Sequence, residues 1–116
     1  MKAVLFDKPG DPDVMYISEC DVPKISKTEV LIKVKFAGVN RPDIIQREGN
    51  YPAPFKHSKI LGLEVSGEII EIGSKVKTLK KGDLVAALVN GGGYAEYCAS
   101  DQKTVFKIPN NLSIKE

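Results

Sequence analysis

Short apolar runs separated by turn signals recur along the chain, at the spacing of a small barrel or sandwich. The first covers residues 2–6 and closes on Pro9-Gly10 and Asp11-Pro12-Asp13. A second, 15–22, stops at Pro23. Residues 29–39 alternate most clearly, with Ile32, Val34 and Phe36 on one face and Lys33 and Lys35 on the other. The run 61–72 is as long, but adjacent Ile69 and Ile70 break its alternation, which predicts burial on both faces or a bulge. Residues 84–89 are continuously apolar and predict a core strand. Runs at 94–99 and 104–108 complete a mainly β chain.

One segment carries helix punctuation instead. Asn40 is a good N-cap type, and Pro42 sits in the first turn, where a missing N–H does no harm. Asp43 falls near the positive end of the helix dipole, and Gly49 is placed to end the helix in a left-handed cap. The spacing predicts about two helical turns over 40–49. Residues 110–116 read as a loop leading into further structure.

Composition narrows the function classes. The 116 residues, 42% hydrophobic and 28% charged, suffice for one compact domain. Seventeen Lys and Arg against fifteen Asp and Glu leave a net charge of +2, which gives no electrostatic case for nucleic acid or an anionic membrane. No apolar run reaches the roughly 18 residues needed to span a bilayer. Asp7 and Pro9-Gly10 come too early for a secretory signal, so a cytoplasmic location is expected. Cys20 and Cys98 lie far apart, with no C-x-x-C. Sequence does not fix whether they pair; without a secreted framework they read as two reduced thiols packed as small hydrophobes.

Three features invite chemistry and have plainer readings beside them. A catalytic zinc needs three protein ligands, and the His and Cys inventory is His57, Cys20 and Cys98, with no two close in sequence. His57, in the polar stretch 55–59, reads as a surface loop residue, and no metal is expected. Gly91-Gly92-Gly93 could cradle a phosphate, but the sequence after it alternates like a strand, and neither a Walker lysine nor a G-x-G-x-x-G is present. A glycine-rich turn between strands is the expectation. Lys75, Lys77, Lys80 and Lys81 lack interleaved aromatics and read as a solvated hairpin edge. Glu64 stands out as an acid in the apolar run 60–65; a buried carboxylate there would need a partner, for which Arg41 or Arg47 is the guess.

The run from Gly38 to Tyr51 resembles the N-R-x-D-x-x-x-R-x-G-x-Y segment of quinone oxidoreductases in the medium-chain dehydrogenase/reductase superfamily. Leu61-Gly62-Leu63-Glu64-Val65-Ser66-Gly67, then Lys81-Gly82-Asp83-Leu84-Val85, then Gly91-Gly92-Gly93-Tyr94-Ala95-Glu96-Tyr97 resemble the next blocks in order. Met1-Lys2-Ala3-Val4 and Asp7-Lys8-Pro9-Gly10 match too, and the nearest likeness is to the zinc-free p53-inducible and zeta-crystallin type. The resemblance implies a mainly β, GroES-like, partly open barrel with one or two short helices, spanning 1–116 as a catalytic domain. It further implies a Rossmann NADPH-binding domain that this chain does not contain, and hydride transfer from NADPH to a quinone or activated carbonyl. Asn40 and Tyr51 would line the nicotinamide and substrate end of the cleft, as both catalytic and cofactor-binding residues. Asp43 and Arg47 would fix the helix and its loop, and Glu64 would stand near the former metal site.

Zinc-dependent relatives carry a Cys where this chain has Asn40 and a His where it has Leu63, which agrees with a zinc-free enzyme. The resemblance also implies a homodimer for the longer protein, and the 116 residues alone are expected to be inactive. An enoyl or alkenal reductase of the same fold and a stand-alone GroES-like binding module are the alternatives.

Overall fold

The computed structural model describes residues 1–49, 60–109 and 112. Seven strands form in chain order: β1 (Lys2–Phe6), β2 (Met15–Glu19), β3 (Glu29–Ala37), β4 (Glu64–Ile72), β5 (Leu84–Leu88), β6 (Tyr97–Asp101) and β7 (Val105–Lys107). Among the described residues one α-helix, α1 (Arg41–Glu48), follows β3, and 3-10 turns at Pro12–Val14 and Gln102–Thr104 precede β2 and β7. β1 and β2 pair antiparallel as a two-stranded sheet. The other five form an antiparallel sheet in the order β6-β3-β4-β5-β7. The Ala3–Ala95 bridge and the Val4 N–H to Tyr94 C=O bond tie the small sheet to the chain just before β6. The result is the partly open barrel that the sequence led one to expect.

Alternation builds the core. Val30 and Ile32 of β3, Val65 and Ile69 of β4, Val85 and Ala87 of β5, Cys98 and Val105 turn inward and pack as one buried cluster. Leu79, from the loop between β4 and β5, joins them, and Val76 packs against the cluster. Lys75, Lys77, Lys80 and Lys81 around these two anchors are exposed, a solvated connection as expected.

Two bulges interrupt the β3–β4 register. Leu31 pairs with Glu71 and Ile32 with Ile69, so Ile70 is the extra residue, at the site its broken alternation marked. A second irregularity falls at Lys35, since Val34 pairs with Gly67 and Phe36 with Ser66. It corrects one expectation: Phe36 does not share the inward face of Ile32 and Val34 but is 44% exposed. There it begins a cross-strand row of Phe36, Ser66, Ala86 and Phe106, which helps line an outer groove of about 660 Å³.

Strand limits also differ from the sequence reading. β2 ends at Glu19 rather than at residue 22, although Cys20 N–H still donates to the Met1 carbonyl. Residues 61–63 do not enter β4. They bond instead to the segment 89–94, through Val89 N–H to Leu63 C=O and Tyr94 N–H to Leu61 C=O. β6 starts at Tyr97, since residues 94–96 are shared between β1 and β3.

Candidate functional site

Asn40 occupies the N-cap of α1, with extended dihedrals (φ −124°, ψ 159°) and a carbonyl that accepts the Asp43 N–H at 3.0 Å. Pro42 falls in the first turn, and Gly49 closes the helix in the left-handed region at φ 94°, its N–H bonded to the Gln46 carbonyl. The Asp43 carboxylate returns to the helix start, where its Oδ2 accepts the Asn40 N–H at 3.0 Å. The anion thus lies at the positive end of the helix dipole.

Asp43 is only 2% exposed, and its Oδ2 also accepts the Tyr94 hydroxyl at 2.7 Å. Burial first, then the hydrogen bond to Asp43 and that residue's charge, push the Tyr94 phenol well above its ordinary value. It therefore stays protonated, a fixed donor, across the physiological range. Oδ1 of Asp43 is buried, with no hydrogen-bond partner among the described residues.

Tyr94 is held from behind by its own backbone. Its N–H donates to the Leu61 carbonyl, and its carbonyl accepts the Val4 N–H, both at 2.9 Å. The preceding glycines make this possible. A Cβ on Gly62, whose φ is +107°, would come within 2.7 Å of Gly93 Cα and Tyr94 N. The triple glycine is thus a turn between strands whose close approach is to backbone: Gly92 N–H donates to the Ile60 carbonyl and Gly93 N–H to that of Gly62.

Arg47 serves the scaffold. Its Nε donates to the Gly10 carbonyl at 3.1 Å, and Gly10 N–H returns a bond to the Arg47 carbonyl. Asp43 and Arg47 therefore fix the helix and its neighbouring loop, the part the motif implied for them. Glu64 corrects a sequence expectation, because it is exposed, pairs with neither Arg41 nor Arg47, and lies over Gly38 instead. The buried carboxylate of this region is Asp43. Sequence reasoning placed Asp43 at the helix start but missed its bond to Tyr94, a contact across 51 positions that no local spacing encodes.

Tyr51 and His57 fall outside the described residues. Among the described residues, no group of three or more His, Cys, Asp or Glu could hold a metal ion. Cys20 and Cys98 are free thiols; burial, with a smaller contribution from the Glu29 charge, pushes the Cys98 thiol up to about 12.

Asn40 is half-buried, leaving part of its surface reachable beside the helix start. For a diphosphate, the N–H groups of Gly92, Gly93 and Tyr94 are already bonded to carbonyls, and the Asp43 carboxylate occupies the helix N-terminus.

Residues 26–110 match the alcohol dehydrogenase GroES-like domain. The chain belongs to that family. Its whole length is 36% identical, over 118 aligned residues, to 36% of the quinone oxidoreductase of Lama guanicoe. Among solved structures, human synaptic vesicle membrane protein VAT-1 homolog-like protein superposes with a TM-score of 0.91 at 32% identity, over 98% of this chain and 37% of that one. The Escherichia coli quinone oxidoreductase complexed with NADPH superposes at 0.90 with 27% identity, over 99% of this chain and 35% of that one. This GroES-like chain thus spans about a third of the length of each of these relatives. No helix among the described residues is long and apolar enough to cross a membrane.

Proposed function

We propose that the protein carrying this chain is a zinc-independent oxidoreductase that reduces a quinone or a similarly activated carbonyl with NADPH. Residues 1–116 are its GroES-like catalytic domain, and a Rossmann domain elsewhere in the protein holds most of the cofactor. The observation that carries this reading is the likeness of nearly the whole chain to a quinone oxidoreductase solved with NADPH. The lack of a diphosphate cradle among the described residues supports the division of labour between two domains. A cytoplasmic homodimer completes the reading.

NADPH, when bound, supplies the hydride. The residues of this chain orient and polarise. Asn40, set at the start of α1, directs its carboxamide to the nicotinamide and acceptor end of the cleft. Tyr51, assigned on its place in the motif, donates a hydrogen bond from its hydroxyl to the acceptor carbonyl and so stabilises the negative charge that develops on that oxygen. Both act mainly by holding donor and acceptor in a reactive arrangement.

Kinetics of Asn40→Ala and Tyr51→Phe in the protein carrying this chain test the assignment. Each is expected to lower kcat for quinone reduction about tenfold or more, the scale of one lost charge-stabilising hydrogen bond, with the melting temperature of Tyr51→Phe unchanged and that of Asn40→Ala lowered only by the roughly 1 kcal/mol of a lost helix cap. Wild-type kcat in both variants would remove these residues from the site. A panel of quinones, alkenals and enoyl thioesters identifies the acceptor, and the quinone is expected to give the highest kcat/KM.

A further inference from the structure

Two donors from distant parts of the chain converge on one oxygen. Oδ2 of Asp43 accepts the Asn40 N–H at 3.0 Å and the Tyr94 hydroxyl at 2.7 Å, while Oδ1 is buried with no partner among the described residues. Capping α1 needs only the first of these bonds. The second comes from a segment tied to β1 by Val4, to the Gly62 crossing by Leu61, and so to the body of the barrel. A buried carboxylate with an unsatisfied oxygen is also a costly way to join a helix to a barrel.

We infer that Tyr94 is a positioning residue: acting through Asp43, it fixes the helix start so that Asn40 faces the reacting groups in one direction. With both donors in place, the rotation of the carboxylate is set, and with it the backbone of Asn40. Without the phenol, the buried carboxylate keeps a single hydrogen bond and turns toward any water that reaches it, loosening the first turn of α1. The functional consequence rests on the proposed part of Asn40 in hydride transfer; the geometric one does not.

Tyr94→Phe keeps the ring and removes only the hydroxyl, so it tests the inference in the protein carrying this chain. Amide exchange followed by NMR is expected to show the Asn40 N–H losing about tenfold in protection, the scale of one hydrogen bond to a charged group, while β3 and β4 amides keep theirs. Unchanged Asn40 protection overturns the inference whatever the enzyme proves to do. Unfolding of the chain by Tyr94→Phe would overturn it too, since the bond would then hold the barrel as a whole rather than set the helix start.

Turnover supplies the second readout. Tyr94→Phe is expected to lower kcat about tenfold, leave KM for NADPH within about twofold, and cost less than about twofold further in an Asn40→Ala background. A full additional loss in that background would mean that Tyr94 acts independently of Asn40, against the inference. Asn40→Ala with wild-type kcat would instead sink the functional reading and leave the exchange result to decide the positioning.

Discussion

Gly62 shows how much one missing side chain decides. Its backbone is left-handed and its Cα faces that of Gly93 so closely that a methyl group would overlap Gly93 and Tyr94. Gly62→Ala is expected to cost about 3 kcal/mol or more in urea unfolding, since strain and overlap add. Gly82→Ala is the control. It has a similar φ of +92° but nothing within 4 Å of the new methyl, so only the conformational cost of about 1 kcal/mol remains. Cys98 gives a pH-dependent counterpart. Its thiol ionises near 9 when unfolded, but burial holds the proton on to about 12 in the folded chain. Above pH 9 the unfolded state therefore binds fewer protons, and stability falls as pH rises through this window. Between about pH 9 and pH 10, before the Tyr94 phenol adds the same trend, Cys98→Val is expected to flatten the fall in unfolding midpoint. At this scale the sequence was partly legible. Asn40, Pro42, Asp43 and Gly49 announced the helix because capping is local, whereas the Tyr94–Asp43 bond and the exposure of Glu64 depend on which strands become neighbours.

Among the elements, β3, β4 and β5 were readable because alternation reports burial directly, and even the Ile70 bulge was marked by the doubled isoleucine. The bulge at Lys35 left no such mark, since alternation continues through it in sequence while the chain turns over in space, carrying Phe36 to the outer face. Residues 61–63 misled for a related reason: their apolar character serves the glycine crossing with 91–94 rather than a ladder with β5. The loop between β4 and β5 separates apolar anchoring from charge. Leu79, 6% exposed, is expected to cost about 2–4 kcal/mol on truncation to Ala. Lys77→Gln and Lys81→Gln are expected to stay within about 0.5 kcal/mol of wild type, both measured by denaturant unfolding. A large loss from the lysines would mean that their charges hold the loop.

For the whole molecule, a single barrel brings together a half-buried Asn40, a helix start already filled by a carboxylate, and glycine N–H groups already bonded to carbonyls. That occupancy of the helix start and of the glycine turn is one support for the proposal that a longer protein, and not the barrel alone, carries the activity. The family was legible in linked motifs, among which Gly62 occupies a position that backbone geometry restricts. The acceptor was not, because the motifs of this chain do not separate a quinone reductase from an alkenal or enoyl thioester reductase of the same fold. The most direct measurement is NADPH oxidation coupled to reduction of a 1,4-quinone, after exhaustive treatment with a zinc chelator, by the protein carrying this chain and by residues 1–116 alone. The account predicts chelator-resistant turnover by the former and none by the latter. Turnover by the 116 residues alone, or its loss on chelation from the longer protein, would contradict it.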